Sequence, residues 1–310
     1  MTRKRARYIR IASSVLIALL SLLISVPAQA QSFDELIEQL GVREMARDYL
    51  RPGIDAVGYS INSGYSHTAR IDTGFHVWVG AKLISTYIPD ADRIFTAKLP
   101  AELVSKGYPA EFNTATAVGD QGRTITSDNP DLPPIVFPDG TGLRTFVMAI
   151  PQLAVGPVLG TDIILRGLPP SSFDDKVGEF SFYGGGLKHE LTHYLDIPFD
   201  LAVVAGYQQF HIGDIVDGNS LAGMLQVSRD FASITLFGGV GYESYAINVS
   251  YITEDGGTVP AGKRITLDFE RRNLRFAIGG ALSVLSLIDI TVEYSFGIQD
   301  NLSLGLGLTI

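Results

Sequence analysis

The sequence predicts an all-β protein, an antiparallel transmembrane β-barrel of about twelve strands (ten to fourteen fit), preceded by a short N-terminal helix. Three observations carry this. The chain opens with an export signal. Its last stretch, Asp289 to Ile310, alternates strictly between large apolar and small or polar residues. Glycine, tyrosine and phenylalanine number 33, 13 and 16, and helix signals are few beyond residue 50, which suits many short strands.

The alternation at the chain end is informative because successive strand side chains point to opposite faces. Ile290, Val292, Tyr294, Phe296 and Ile298 share one face, against Thr291, Glu293, Ser295 and Gly297. After Gln299-Asp300-Asn301, the residues Leu302, Leu304, Leu306, Leu308 and Ile310 alternate with Ser303, Gly305, Gly307 and Thr309. A soluble sandwich would bury the apolar face. A membrane barrel turns it to lipid and keeps the small polar face for the lumen.

Residues 1–30 read as a signal peptide. Arg3, Lys4, Arg5, Arg7 and Arg10 form a basic start, Ile11 to Val26 is the apolar run, and Ala28-Gln29-Ala30 is a small-x-small cleavage site. The apolar run is short for a spanning helix, which argues against an uncleaved anchor. The leader holds five of the 24 basic residues and none of the 33 acidic ones, so the mature chain carries about −14 against −9 for the whole. That balance argues against nucleic acid as a partner. With no cysteine, a Cys-linked lipid anchor and a disulfide framework are both excluded. No later segment is apolar enough, for long enough, to span a membrane as a helix.

Residues 31–51 read as the helix. Ser32 and Glu35 form a capping box, Phe33, Leu36, Ile37, Leu40 and Met45 repeat at helical spacing, and Pro52 stops it. The helix is expected to plug the barrel or lean on its periplasmic end. Packing on a soluble sheet would suit the same segment. Residues 52–310 read as the barrel. Ile54 to Asn62 alternates weakly and counts as a strand. Ile71 to Leu83 follows, with His76 and Lys82 on a polar inner face and Trp78 the apolar exception. Residues 89–145, rich in proline, aspartate and glycine, read as an irregular insertion. It would hold one strand plus a long extracellular loop or an inward-folded constriction. Phe146 to Val155 pairs with Thr161 to Leu168, Glu179 to Leu195 pairs with Phe199 to Ile212, and Leu221 to Arg229 continues the sheet.

The next hairpin changes phase. Ile234, Leu236, Val240 and Tyr242 keep even parity, then Tyr245, Ile247, Val249 and Tyr251 keep odd. Leu267 and Phe269 are odd, while Leu274, Phe276 and Ile278 are even. Paired bulges in two long strands account for this. Two extra tight turns would also do so, but neither site has strong turn chemistry. Tyr207, Tyr242, Tyr251, Tyr294 and Phe296 suit aromatic girdles, though tyrosine favours strands in any case. The candidate lumen-lining residues are His76, Lys82, Lys188, Glu190, Asp268, Glu270, Arg275 and Glu293.

His189-Glu190-Leu191-Thr192-His193 matches the H-E-x-x-H zinc-protease pattern. That chemistry needs a helix, where i and i+4 share a face. Here Gly184-Gly185-Gly186 precedes it, Pro198 follows, and the flanks alternate as strands. Positions four apart in a strand are about 13 Å apart, too far to share one metal. No catalytic residue, metal or cofactor is therefore expected. A zinc hydrolase is the least favoured reading. Asp268, Glu270 and Glu293 read as solvated charges, not a catalytic carboxylate cluster.

Several segments resemble a family of uncharacterised, signal-bearing outer-membrane barrels with a short N-terminal helix. They are Tyr49-Leu50-Arg51-Pro52 leading to Asn62-Ser63-Gly64-Tyr65, Ile150 to Gly156, and Gly186-Leu187-Lys188-His189 followed by Ile197 to Leu201. That family is distantly similar to the long-chain fatty-acid transporters of the outer membrane. The resemblance implies an outer-membrane location in a Gram-negative cell and passive transport of a small hydrophobic solute. A non-transport anchor or surface-interaction barrel is the alternative. Outer-membrane lipid and the barrel-assembly machinery are the implied partners. One departure is the end: such barrels usually finish on an aromatic residue, and this chain finishes on Ile310.

Overall fold

The computed structural model of the protein describes residues 43–65, 67–174, 178–252 and 264–310. The leader, Ser32 and the apolar positions from Phe33 to Leu40 lie outside the described residues, as do residues 253–263 and the side chain of Tyr251. Among the described residues, ten strands close an antiparallel barrel. They are β1 (His76–Tyr87), β6 (Thr145–Gly156), β7 (Thr161–Asp174), β8 (Gly178–Glu190), β9 (Asp200–Ile212), β10 (Val216–Phe231), β11 (Ile234–Ile252), β12 (Arg264–Val284), β13 (Ile288–Phe296) and β14 (Asn301–Thr309). Each pairs with its neighbour in the chain, and β1 closes the ring on β14, with Val79 opposite Leu308 and Thr86 opposite Asn301.

The chain forms two compact units. The barrel unit is Val57–Tyr87, Val147–Ile247 and Glu270–Ile310, and the second unit holds 43–56, 88–146 and the described parts of 248–269. The barrel has a terminal end, where β1 starts and β14 finishes, and an insertion end, where β1 runs into residues 88–144. Connections at the terminal end are short, 157–160, 191–199, 232–233 and 285–287.

The expected faces of the last strands hold. Ile290, Val292, Tyr294 and Phe296, and Leu302 through Leu308 in steps of two, are exposed, while Asp289, Thr291, Glu293, Ser295, Asn301 and Ser303 are buried inside. The belt continues round the barrel through Leu83, Leu165, Leu187, Val203, Leu225, Leu236 and Ile278.

Three expectations are corrected. The count among the described residues is ten strands, the low end of the expected range and not the central twelve, because Ile54 to Ile61 is helical and the insertion gives the barrel no strand. Helix α1 runs Arg43–Ile61 with Pro52 inside it. A mid-helix proline forfeits one backbone hydrogen bond and costs about 3 kcal/mol. Here the helix continues because Ala56, Tyr59 and Ile61 beyond it are almost wholly buried, and burying two such large side chains contributes about 1.5–3 kcal/mol each.

The third correction concerns the phase switch. β11 and β12 are each one long strand, as preferred, but their parity does not slip. Odd residues face inward throughout: Phe237, Glu243, Tyr245 and Ile247 in β11, and Leu267, Phe269, Arg275 and Ala277 in β12, are all buried. What changes is the surroundings. Along the barrel the outer face is apolar. Toward the insertion end the inner face becomes apolar and the outer face becomes charged, with Asp268, Glu270 and Arg272 exposed.

The second unit has its own small core. β2 (Ile94–Lys98) pairs with β3 (Glu111–Ala115), and β4 (Thr124–Ile125) pairs with β5 (Ile135–Val136). Met45 of α1 packs with Leu99, Tyr108, Phe112, Ile125 and Phe137. Phe112 and Phe137 meet edge-on at 4.8 Å. The Tyr49 hydroxyl donates to the Asp139 carbonyl at 2.9 Å. Burial, with Asp139 nearby, pushes its pKa up to about 12, so it stays a donor. Arg43 and Arg47 donate to the carbonyls of Thr266 and Asp268 on β12. They cover part of a strand edge, and the outward charges of Asp268 and Glu270 guard its outer face.

Candidate functional site

The lumen of the barrel is occupied by the chain itself. Residues 57–65 and 67–71 lie in it, and the barrel wall bonds several of their backbone groups. The end of α1 comes first. A helix leaves its last carbonyls unpaired and carries partial negative charge there. Two buried guanidinium groups meet that end. Arg166 donates to the carbonyls of Ile61 at 3.0 Å and Ser63 at 2.7 Å. Arg275 donates to the Tyr59 carbonyl at 2.9 Å and to the Ser63 hydroxyl. Gln208 adds a second donor to Ile61 at 2.7 Å. Ser60 shares a hydrogen bond with Thr86, 2.6 Å apart, and Asn301 donates to the Ser63 hydroxyl.

Farther along, Gln152 donates to the Tyr65 carbonyl at 3.0 Å. The Ala69 N–H donates to Ser228, and Lys188 donates to the Arg70 carbonyl. The Ile71 N–H donates to a Glu190 carboxylate oxygen at 2.8 Å. An extended segment inside a barrel has no strand partner of its own, and buried backbone groups left unpaired cost about 1–3 kcal/mol each. The polar inner face supplies those partners.

Shape fits as well as polarity. The Tyr65 ring lies under the Arg166 guanidinium, 4.3 Å from it. It rests on Gly206, where a Cβ would run into the ring, and beside Gly186, where a Cβ would press on both the ring and the Ala205 carbonyl oxygen. Gly185 and Gly186 therefore belong to β8, and the inward glycine makes room for the ring.

Two pairs of buried opposite charges meet on the inner face. Glu243 accepts from Arg275 at 2.7 and 2.9 Å. Asp162 lies 2.9 Å from Lys188 and 3.2 Å from the His76 ring. Lys82 donates to Thr291 at 2.8 Å and sits 5.5 Å over the Trp78 ring. Removing one member of such a pair leaves an uncompensated buried charge. Two cavities flank the plug. One of about 20 Å³ touches Asn62, Glu243 and Glu293, and one of about 80 Å³ touches His67, His76, Asp162 and Lys188. Ligand pockets run to about 300–1,000 Å³, and a water needs about 10–15 Å³, so these spaces suit water.

A family profile described as "Family of unknown function (DUF6588)" matches residues 8–310. The chain belongs to that family. A comparison with curated proteins finds no match. Among solved structures the chain is similar to the N-terminal barrel domain of OprF from Pseudomonas aeruginosa, at 15% identity and TM-score 0.27, covering 49% of this chain and 98% of that one. It is similar to the translocator domain of the autotransporter NalP from Neisseria meningitidis, at 11% identity and TM-score 0.35, covering 85% and 99%. A third is Ail, the attachment invasion locus protein of Yersinia pestis, at 9% identity and TM-score 0.26, covering 76% and 99%.

In this DUF6588 chain, Lys82, Lys188, Glu190, Arg275 and Glu293 are buried on the inner face, and His76 faces Asp162. Asp268 and Glu270 are exposed on the outer face and do not line the lumen, because the odd phase stays inward along β12. Sequence reasoning missed Arg166, Gln208, Gln152, Asp162 and Glu243. Parity could have found them. Asp162 and Arg166 alternate with Ile163 and Leu165, and Gln152 shares a face with Ile150.

The H-E-x-x-H residues are not on a helix. β8 ends at Glu190, and a 3-10 turn covers Thr192–Tyr194. His189 Nδ1 is 2.8 Å from the Thr161 hydroxyl, Glu190 holds Ile71, and His193 is half exposed, 3.8 Å from Glu190. The chain bends after Glu190, so the extended spacing expected between the imidazoles does not apply. Among the described residues no group of three His, Cys, Asp or Glu is placed to hold a metal.

Proposed function

We propose that this protein is an outer-membrane barrel that anchors a structured domain at the cell surface, with its lumen closed by the segment that precedes its first strand. The single observation behind the reading is the plug: residues 57–65 and 67–71, with several backbone groups bonded by Arg166, Arg275, Gln208, Gln152, Lys188 and Glu190. The exposed belt of leucine, valine and isoleucine supports contact with outer-membrane lipid. Tyr87, Tyr183, Tyr294 and Phe296 toward the insertion end, and Tyr194, Phe199 and Phe231 toward the terminal end, suit the two interfacial girdles.

Outer-membrane barrels keep short turns in the periplasm and long loops outside. The short connections at the terminal end support placing that end in the periplasm and the insertion, 88–144, outside. Export by the leader, cleaved near Ala30, and insertion by the barrel-assembly machinery complete the reading. Passage of a small hydrophobic solute, which the resemblance implies, needs the plug to leave, since the flanking cavities are far too small. No enzymatic step is assigned.

Protein from the outer-membrane fraction, with heat-modifiable gel mobility, should be reconstituted in planar bilayers. The expected record is a closed baseline. Steady wild-type current, or protein-dependent uptake of an apolar solute into vesicles, would overturn the anchor reading in favour of transport. Recovery as a soluble periplasmic monomer would overturn the membrane reading itself.

A further inference from the structure

We infer that the barrel carries the segment before its first strand across the membrane, so that residues 43–56 are displayed on the outer surface. The inference rests on the orientation proposed above and replaces the expectation of a periplasmic helix.

The direction of threading is fixed inside the barrel unit. Ser60 touches Thr86, next to the point where β1 leaves the barrel for the insertion. Tyr59 meets Tyr245 ring to ring at 5.9 Å, on the stretch of β11 farthest from the terminal end within that unit. Ile71 is held by Glu190 and Ala69 by Ser228, both on the last residues of strands that finish at the terminal end. The chain therefore descends from the insertion end at residue 59 to the terminal end at residue 71, where β1 starts.

The residues before Val57 belong to the second unit. α1 is one continuous helix of 19 residues, about 28 Å long at 1.5 Å per residue. The second unit agrees independently. There the first half of α1 is bound to the insertion, through the Ala117 N–H on the Tyr49 carbonyl, Tyr49 on Asp139 and Met45 in the shared core. The insertion leaves the barrel from the far end of β1.

A chain exported N-terminus first begins in the periplasm. To reach this arrangement the segment before Val57 must pass through the closing barrel and stay outside. The ladder of wall-to-backbone hydrogen bonds gives that passage a defined stopping register, with the two arginines seated on the carbonyls at the helix end.

Single cysteines in this cysteine-free protein test the inference. Glu44→Cys and Asp48→Cys probe the exposed side of α1, Asp131→Cys the insertion, and Asp196→Cys a turn at the terminal end, all at exposed positions. Whole and lysed cells are treated with a PEG-maleimide too large to pass porins, and only heat-modifiable, assembled protein is scored. The expected result is equal labelling of the Glu44, Asp48 and Asp131 variants on whole cells, with Asp196→Cys labelled only after lysis. Asp131→Cys labelled on whole cells, with Glu44→Cys and Asp48→Cys labelled only after lysis, would overturn the threading and leave the orientation standing. Asp196→Cys labelled on whole cells, with Asp131→Cys protected, would overturn the orientation and the inference with it.

Discussion

Arg166→Ala is the substitution from which the plug predicts the most. Arg166 is 3% exposed and makes two charge-assisted bonds to carbonyls of the plug. Such bonds contribute about 1.5–3 kcal/mol each, and a desolvated guanidinium on an aromatic ring about 2. The Ile61 carbonyl keeps a second donor in Gln208, and effects within one network do not add. About 4 kcal/mol is therefore a fair figure for the loss of plug docking. At 1.4 kcal/mol per tenfold, that raises the undocked population about a thousandfold. Ala69→Cys, at a wholly buried plug position, is a reporter. Its maleimide labelling in purified protein should rise about a thousandfold with Arg166→Ala, if opening is fast against labelling. Bilayer recordings should show openings absent from the parent. Arg166→Lys keeps the charge but not the two-pronged reach, so it should fall between. An unchanged labelling rate in a correctly assembled Arg166→Ala barrel would refute the reasoning.

Other outcomes follow from the same geometry. Leu304→Arg, on the exposed belt, should cost about 2–4 kcal/mol near the bilayer midplane, read as a shift in the urea midpoint of refolding into lipid. Ser303→Arg, which an open wet lumen would tolerate, should also destabilise, by about 1–3 kcal/mol through overpacking, since Ser303 is buried against Gly64 of the plug. Tolerance of Ser303→Arg would argue against a filled lumen. Leu285, exposed at φ 55 in a terminal-end turn, should gain up to about 1 kcal/mol as Leu285→Gly by relief of left-handed strain; a loss would contradict that turn geometry. Glu190→Gln should assemble, because an amide oxygen can still accept from Ile71, and neither it nor His193→Ala should change the metal content of purified protein. Stoichiometric zinc lost in His193→Ala would reinstate the hydrolase reading.

The barrel was legible in the sequence because an apolar outer face and a small or polar inner face impose a two-residue period along the strands. The inner positions of Lys82, Lys188, Glu190, Arg275 and Glu293 follow from that period alone. Asp268 and Glu270 went the wrong way for a physical reason. An apolar residue marks the lipid face only within the membrane. Toward the insertion end the apolar face is the inner one, and Leu267, Phe269, Tyr245 and Ile247 point inward without any change of backbone phase. The plug was hidden for a different reason. Pro52 is a sound local stop signal, and Ile54 to Asn62 alternates weakly enough to pass for a strand. Tertiary burial of Tyr59 and Ile61 overrides both. The glycines opposite Tyr65, at 186 and 206, carried the signal, but only a known plug gives them meaning.

A cross-link between the plug and the wall asks most directly whether the chain closes its own barrel. The Ser60 and Thr86 hydroxyls are 2.6 Å apart and both residues are wholly buried, so the two side chains already meet at the positions to be cross-linked. In Ser60→Cys/Thr86→Cys, mild oxidation of intact outer membranes should link the two, seen as a gel-mobility change reversed by reductant and absent from either single variant. Failure to link in assembled protein, with both cysteines open to maleimide, would contradict the account.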